Sequence, residues 1–105
     1  MKQIDVQALH DRREAGEKFV LLDVRENDEV EYCKIAGSLH IPMNQVPTRV
    51  QELNPQDTIV VYCHKGGRSM QVARFLDAKG FQEVFNLHGG ISEWSQRIDP
   101  SVPMY

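Results

Sequence analysis

Short apolar runs that alternate with helical patterns constrain the fold of this sequence more than any other feature. Three such runs, at 19–24, 58–62 and 84–87, each stop at charged or turn-forming residues. A nearly unbroken apolar run is typical of a strand buried on both faces, because a strand with one solvent face alternates instead. Helical spacing fills the intervals between the runs. The order therefore predicts an α/β fold with a central, mostly parallel sheet and helices on both faces.

Helix start and stop signals place the other elements. Asp5 can cap a helix from Val6 to about Ala15, which Gly16 would end. Apolar residues at helical spacing predict a second helix over 69–79, ended by Gly80. The remaining predicted elements are a helix at 26–33, a strand at 38–41, a helix at 46–53 and a last helix opened by Gly89-Gly90 and running through Trp94.

Length and composition predict one domain over residues 1–105. The chain is 41% hydrophobic and 26% charged, near the globular norm, and it has no repeat or linker. Its net charge of −3 disfavours nucleic acid as the main partner, since phosphate binding needs a basic face. The longest apolar stretches are far shorter than a membrane span, so no membrane partner is expected either.

Cysteine usage and the first residues predict a reducing, cytoplasmic location. Cys33 and Cys63 are the only cysteines, too few for a disulfide scaffold. The opening residues have no apolar run typical of a secretory signal. The sequence contains no Cys-x-x-Cys or His-x-His pattern, so no structural metal site is expected. No cofactor is expected either.

One segment carries the residues needed for chemistry: Cys-His-Lys-Gly-Gly-Arg-Ser at 63–69, which we call the catalytic loop. It directly follows a buried strand, the place where ligands bind in parallel sheets. Its two glycines permit a tight turn in which successive N–H groups form an anion nest, and the next helix adds its positive end. Lys65 and Arg68 add charge. Such surroundings lower the pKa of a thiol, which predicts that Cys63 is a nucleophilic thiolate.

Two other interpretations of the loop are open at this point. A cysteine at a strand end can be no more than a small buried hydrophobe. A glycine-rich turn can also bind phosphate, although this one lacks the length and the Lys-Ser/Thr ending of a P-loop. The strand-to-helix placement and the Gly-Gly-Arg-Ser continuation favour the reactive cysteine.

Taken in order, the motifs resemble those of single-domain rhodaneses, a family of sulfurtransferases. The resemblance covers nearly the whole chain and rests on these segments: 22–26 (LDVRE), 35–42 (IAGSLHIP), 61–63 (VYC), 67–69 (GRS), 80–81 (GF), 87–91 (LHGGI) and Trp94. It implies the three-layer rhodanese-like α/β fold, with a five-stranded, mostly parallel sheet flanked by helices. Residues 98–105 resemble the ends of rhodanese modules linked to molybdenum-cofactor and thiamine sulfur supply, which implies a sulfur-accepting biosynthetic protein as a partner.

The resemblance also implies an activity. A Cys63 thiolate would accept sulfane sulfur from a small donor such as thiosulfate and pass it, as a persulfide, to an acceptor such as cyanide or a thiol. The anion cradle would consist of His64, Lys65, Gly66, Gly67, Arg68 and Ser69. Four residues separate Cys63 from Arg68, whereas related phosphatases and arsenate reductases have five, so the spacing favours the sulfurtransferase branch.

Supporting residues have a structural and a functional interpretation. Asp23, Arg25 and Glu26 are expected to form structural ion pairs near the end of the sheet rather than to act in catalysis. His64 is expected to be a bystander, and Cys33 a structural residue rather than a resolving thiol. Ser69 is expected to brace the loop, and Trp94 to pack in the core or at its edge. A different class of function is also open: a carrier module that delivers persulfide sulfur to a partner protein without small-molecule turnover.

Overall fold

The computed structural model describes residues 1–105, and its centre is one five-stranded sheet. The strands are β1 (Lys2–Ile4), β2 (Val20–Asp23), β3 (Leu39–His40), β4 (Thr58–Tyr62) and β5 (Glu83–Leu87). They lie in the order β1-β5-β4-β2-β3, and every neighbouring pair is parallel. The α/β prediction is confirmed, and the sheet is parallel throughout rather than mostly so.

Five α-helices flank the sheet, of which four connect successive strands and the last follows β5. They are α1 (Val6–Glu14), α2 (Asn27–Tyr32), α3 (Val46–Arg49), α4 (Gly67–Ala78) and α5 (Gly90–Arg97). The helix predicted at 46–53 is divided: α3 is a single turn, and the 3-10 turns Met43–Gln45 and Val50–Glu52 flank it. No helix is long and apolar enough to cross a membrane.

The core consists of two apolar layers, one on each face of the sheet. Along β4, Ile59 and Val61 belong to one layer, whereas Val60 and Tyr62 belong to the other. All four side chains are fully buried, because successive residues of a strand point to opposite faces and helices cover both. This explains the unbroken apolar run of β4 and confirms the three-layer arrangement.

The two cysteines lie in different layers of this core. Cys33 packs with the layer that contains Trp94, and Cys63 packs with the layer that contains Val72 of α4. Both thiols are free and buried. The separation of the two thiols by the sheet agrees with a structural role for Cys33, and Trp94 is in the core as predicted.

Candidate active site

Cys63 follows the last residue of β4, at the carboxyl edge of the sheet, and only 1% of it is exposed. The chain then turns sharply, since Gly66 takes the left-handed φ of +117° that a side chain disfavours. The turn directs the amide of Gly66 at the sulfur, with an N-to-Sγ distance of 3.1 Å. The hydroxyl of Ser69, in the first turn of α4, lies 3.4 Å from the same sulfur. The thiol thus sits in a cradle of donors.

These donors determine the acidity of the thiol. Burial of Cys63 by itself would raise its pKa, because the charged form loses water. The hydroxyl of Ser69 and the backbone amides of Ser69, Gly66 and Lys65 act in the opposite direction and outweigh burial. The pKa of Cys63 therefore lies below the ordinary value for a thiol, which agrees with the thiolate expected from the sequence.

A second helix fixes the orientation of the catalytic loop. At the start of α5, the amide of Ile91 donates to the carbonyl oxygen of Cys63, and that of Ser92 donates to the carbonyl oxygen of His64, each at 3.0 Å. The approach requires Gly90, because a Cβ there would lie 2.4 Å from the His64 oxygen and 2.6 Å from the Cys63 oxygen. With its carbonyls held by α5, the loop keeps its amides available to the sulfur. The Gly89-Gly90 pair was the sequence signal for this contact, which was predicted only as a helix start.

A buried amide side chain on β5, that of Asn86, forms hydrogen bonds with two residues of the cradle. Asn86 accepts from the Ser69 hydroxyl at 2.5 Å and donates to the Gly66 carbonyl at 3.3 Å. It also donates to the side chain of Gln3, on β1, at 3.0 Å. Ser69 therefore has one proton and two acceptors, Asn86 and Cys63. The bracing position of Ser69 agrees with prediction, but Asn86 was missed because it looked like an ordinary polar interruption of a strand.

The two cations of the loop differ in their surroundings. Lys65 is exposed and makes no ion pair. Arg68 instead turns to Glu29 of α2, and its two terminal nitrogens lie 2.6 and 2.9 Å from the carboxylate oxygens. This contact with Arg68 is the main reason that the pKa of Glu29 is lowered to about 2. The sequence predicted positive charge at Arg68, and the structure shows that this charge is paired with Glu29.

Asp23 and Arg25 lie beside the loop as a fully buried ion pair. Their closest oxygen-to-nitrogen distance is 2.7 Å, and both side chains are completely shielded from solvent. Arg25 also donates to the carbonyl oxygen of Cys33 at 2.7 Å. These contacts agree with the predicted structural ion pair. The prediction was wrong for Glu26, which is exposed and makes no ion pair, because it is the N-cap residue of α2 and forms a capping box with Glu29 instead.

An aromatic side chain that the sequence did not single out borders the loop. The ring of Tyr105 stacks on that of His64, with centroids 3.9 Å apart and planes 13° from parallel. Its hydroxyl donates to Glu29 at 2.7 Å and accepts from Arg25 at 3.0 Å. The 98–105 segment thus returns to the active-site edge of the sheet. No group of three or more His, Cys, Asp or Glu side chains is placed to hold a metal ion.

Comparison with known proteins identifies the family. Residues 5–97 match the rhodanese-like domain. The chain belongs to the rhodanese-like family. A rhodanese-like domain protein from Staphylococcus aureus has a similar crystal structure, with a TM-score of 0.87 at 26% identity over 100% of this chain and 99% of that one. The resemblance inferred from the motifs is confirmed.

Relatives in this family carry names that describe sulfur transfer. A protein of Allochromatium vinosum named sulfurtransferase is 33% identical, and the match covers 97% of this chain and 95% of that protein. The thiosulfate sulfurtransferase GlpE of Coxiella burnetii is 36% identical over 72% of this chain and 71% of its own length. A longer chloroplastic protein of Arabidopsis thaliana, named for rhodanese-like and PpiC domains, is 38% identical. The chain spans 38% of the length of that plant protein.

Proposed function

We propose that this rhodanese-like protein is a sulfurtransferase. It takes sulfane sulfur from a donor such as thiosulfate and passes it to a thiophilic acceptor, cyanide or a thiol, through a persulfide on Cys63. The observation that carries the proposal is the cradle, in which the buried Cys63 sulfur faces the amide of Gly66 and the hydroxyl of Ser69. The names of the sulfurtransferase relatives support the same chemistry.

The reaction needs a thiolate and a stabilised anion at one place. The Cys63 thiolate attacks the outer sulfur of thiosulfate, a new S–S bond forms, and the bond to the sulfonate breaks. Sulfite leaves with the electron pair, and the negative charge that began on Cys63 now lies on the outer sulfur of its persulfide. Attack by cyanide on that outer sulfur gives thiocyanate and restores the thiolate.

The same hydrogen-bond donors can stabilise both the thiolate and the persulfide anion of Cys63. Backbone amides fixed by a tight turn stabilise negative charge without having to reorganise, and they act strongly where water is excluded. No proton moves in either half-reaction as written, so the chemistry requires no general base. His64 is therefore not needed as a base, and its ring stacks on that of Tyr105.

The length of the loop supports sulfur transfer over a related reaction. Phosphatases and arsenate reductases that resemble rhodaneses have five residues between cysteine and arginine and enclose a tetrahedral oxyanion. Four residues lie between Cys63 and Arg68, so fewer amides are available to surround such a group. We expect no phosphate release from an aryl phosphate.

The direct test is turnover of thiosulfate and cyanide to thiocyanate. Cys63→Ser is expected to abolish turnover while the protein remains folded, because a serine hydroxyl cannot form the persulfide. Cys33→Ser is the matched control, since Cys33 lies on the other face of the sheet, and it should retain most of the activity. Retained turnover in Cys63→Ser would overturn the proposal. A wild type that forms the persulfide without turnover would instead indicate a dedicated carrier for a partner protein.

A further inference from the structure

Glu29, on α2, is paired with the one arginine of the catalytic loop, Arg68. Its two oxygens bind the two terminal nitrogens of the Arg68 guanidinium, at 2.6 and 2.9 Å. This two-point geometry occupies the planar fork with which arginine recognises anions such as carboxylate or phosphate. A donor that uses the Arg68 fork must therefore displace Glu29.

Two contacts besides Arg68 hold the Glu29 side chain in place. Tyr105 donates its hydroxyl to Oε2 at 2.7 Å, and the backbone amide of Glu26 donates to Oε1 at 3.0 Å. Tyr105 is itself held by Arg25, at 3.0 Å, and by its stacking on His64. Only 16% of the Glu29 side chain is exposed, so this is a positioned group rather than a mobile surface carboxylate.

The pairing changes the charge that an incoming donor meets. Lys65 and Arg68 give the catalytic loop two positive charges, and Glu29 cancels one of them. The charges of Arg68 and Cys63 also interact. Glu29 is the main group that raises the pKa of Arg68, burial lowers it, and a Cys63 thiolate adds a smaller rise. A donor with two negative charges loses more by this cancellation than a donor with one or none.

We propose that Glu29, held by Tyr105, is a specificity-determining residue that disfavours dianionic sulfur donors such as thiosulfate relative to donors with less negative charge. This proposal rests on the proposed sulfurtransferase function and refines its substrate class. A persulfide group presented by a thiol or by a protein has at most one negative charge on its two sulfur atoms, whereas the sulfur and sulfonate of thiosulfate together have two. The persulfide class is therefore the one that the paired site favours.

The test replaces one carboxylate and measures two rates. Glu29→Gln keeps the size of the side chain and removes its charge. The first readout is the rate constant for loading of Cys63 by thiosulfate. The second is the ratio of alkylation rates with iodoacetate, an anion, and iodoacetamide, its neutral analogue. Any change in the pKa of Cys63 affects both reagents equally, so the ratio reports only the charge at the site.

Glu52→Gln is the matched control. Both oxygens of the Glu52 carboxylate bind an arginine, with Arg49 nitrogens at 2.8 and 3.0 Å. Glu52→Gln therefore changes the net charge by the same amount as Glu29→Gln. Its neighbours Gln51 and Leu53 line a hollow with Lys79, at the far end of α4. That end is roughly 18 Å from the loop, the length of a twelve-residue helix. Any general effect of charge therefore appears in both variants.

We expect Glu29→Gln to raise the iodoacetate-to-iodoacetamide ratio by roughly three- to tenfold, because one unit of charge close to the sulfur is uncovered. Thiosulfate loading should rise by roughly the square of that factor, since the donor has two charges. Tyr105→Phe keeps the ring but removes the bond to Glu29, so it should shift both readouts in the same direction by less. Glu52→Gln should leave them unchanged.

Two results would distinguish a failure of the proposed role of Glu29 from a failure of the proposed sulfur transfer. An iodoacetate-to-iodoacetamide ratio in Glu29→Gln equal to that of the wild type would overturn the role of Glu29, whatever the donor activity. A shifted ratio in a protein that accepts no sulfur from any donor would support charge selection by Glu29 while overturning the proposed sulfur transfer.

Discussion

Ser69→Ala tests how the cradle makes Cys63 acidic. The hydroxyl of Ser69 lies 3.4 Å from the Cys63 sulfur and is the strongest of the groups that lower the pKa of the thiol. Alanine removes that donor and leaves the amide of Gly66, at 3.1 Å, in place. Burial, which raises the pKa, is almost unchanged, because the side chain is merely shortened by one atom. The pKa of Cys63 should therefore rise.

The size of the rise follows from the energy of one hydrogen bond to a charged group. Such a bond contributes about 1.5–3 kcal/mol, and one pKa unit corresponds to about 1.4 kcal/mol, so its loss predicts a rise of about one to two units. The single proton of Ser69 is shared with Asn86, and 3.4 Å is a long contact. Both facts place the expected rise at the lower end, about one unit.

The assay is the pH dependence of the alkylation rate of Cys63 by iodoacetamide, followed by mass spectrometry of the peptide that contains it. The inflection of the rate profile gives the pKa of the thiol. Ser95→Ala is the matched control, because Ser95 is also buried but donates to the carbonyl oxygen of Val102, in the other layer of the core. An inflection in Ser69→Ala at the wild-type pH would refute the reasoning, since the hydroxyl would then have no part in stabilising the thiolate.

Three further predictions concern the framework around the loop. Asp23→Asn leaves the buried Arg25 without its carboxylate. Urea denaturation should therefore show a loss of about 3–5 kcal/mol in the free energy of unfolding. A loss below about 1 kcal/mol would contradict this expectation. Gly90→Ala places a Cβ 2.4 Å from the His64 carbonyl oxygen and must displace the loop, so thiosulfate loading of Cys63 should fall at least about tenfold; unchanged loading would show that the loop tolerates the shift. The pKa of Glu29 is lowered from 4.5 to about 2, so its pairing stabilises the fold fully above about pH 4.5, by about 1 kcal/mol, and this contribution disappears as the pH falls towards 2. The difference in unfolding free energy between wild type and Glu29→Gln should shrink over that window, and a constant difference would count against the ion pair.

The sequence predicted most of the sheet because its central strands are buried on both faces. The prediction of 58–62 coincides with β4, where every side chain after Thr58 is buried. It missed β1, whose three residues include the exposed Lys2 and Gln3 and which pairs only with β5. An edge strand held by backbone hydrogen bonds has no need of an apolar run, so its sequence carries little signal.

The candidate site, like the sheet, contains residues that the sequence predicted and residues that it missed. Residues contiguous with Cys63 were predictable, because a glycine-rich turn between a strand and a helix forms its cradle from its own backbone. Glu29 and Tyr105 were not, since they reach the loop from α2 and from the 98–105 segment. Their sequence separations from the loop are long, and their contacts depend on how the connections fold back over the sheet. No local pattern indicates such contacts.

The most direct test of the Cys63 persulfide is the mass of the peptide that contains Cys63 after the protein is incubated with thiosulfate. We expect an added mass of about 32 Da, that of one sulfur atom, on Cys63 and its removal by cyanide. Cys63→Ser should show no adduct. A wild-type protein that remains unmodified, or that gains the sulfur on Cys33 instead, would contradict the central claim that the cradle around Cys63 holds a persulfide.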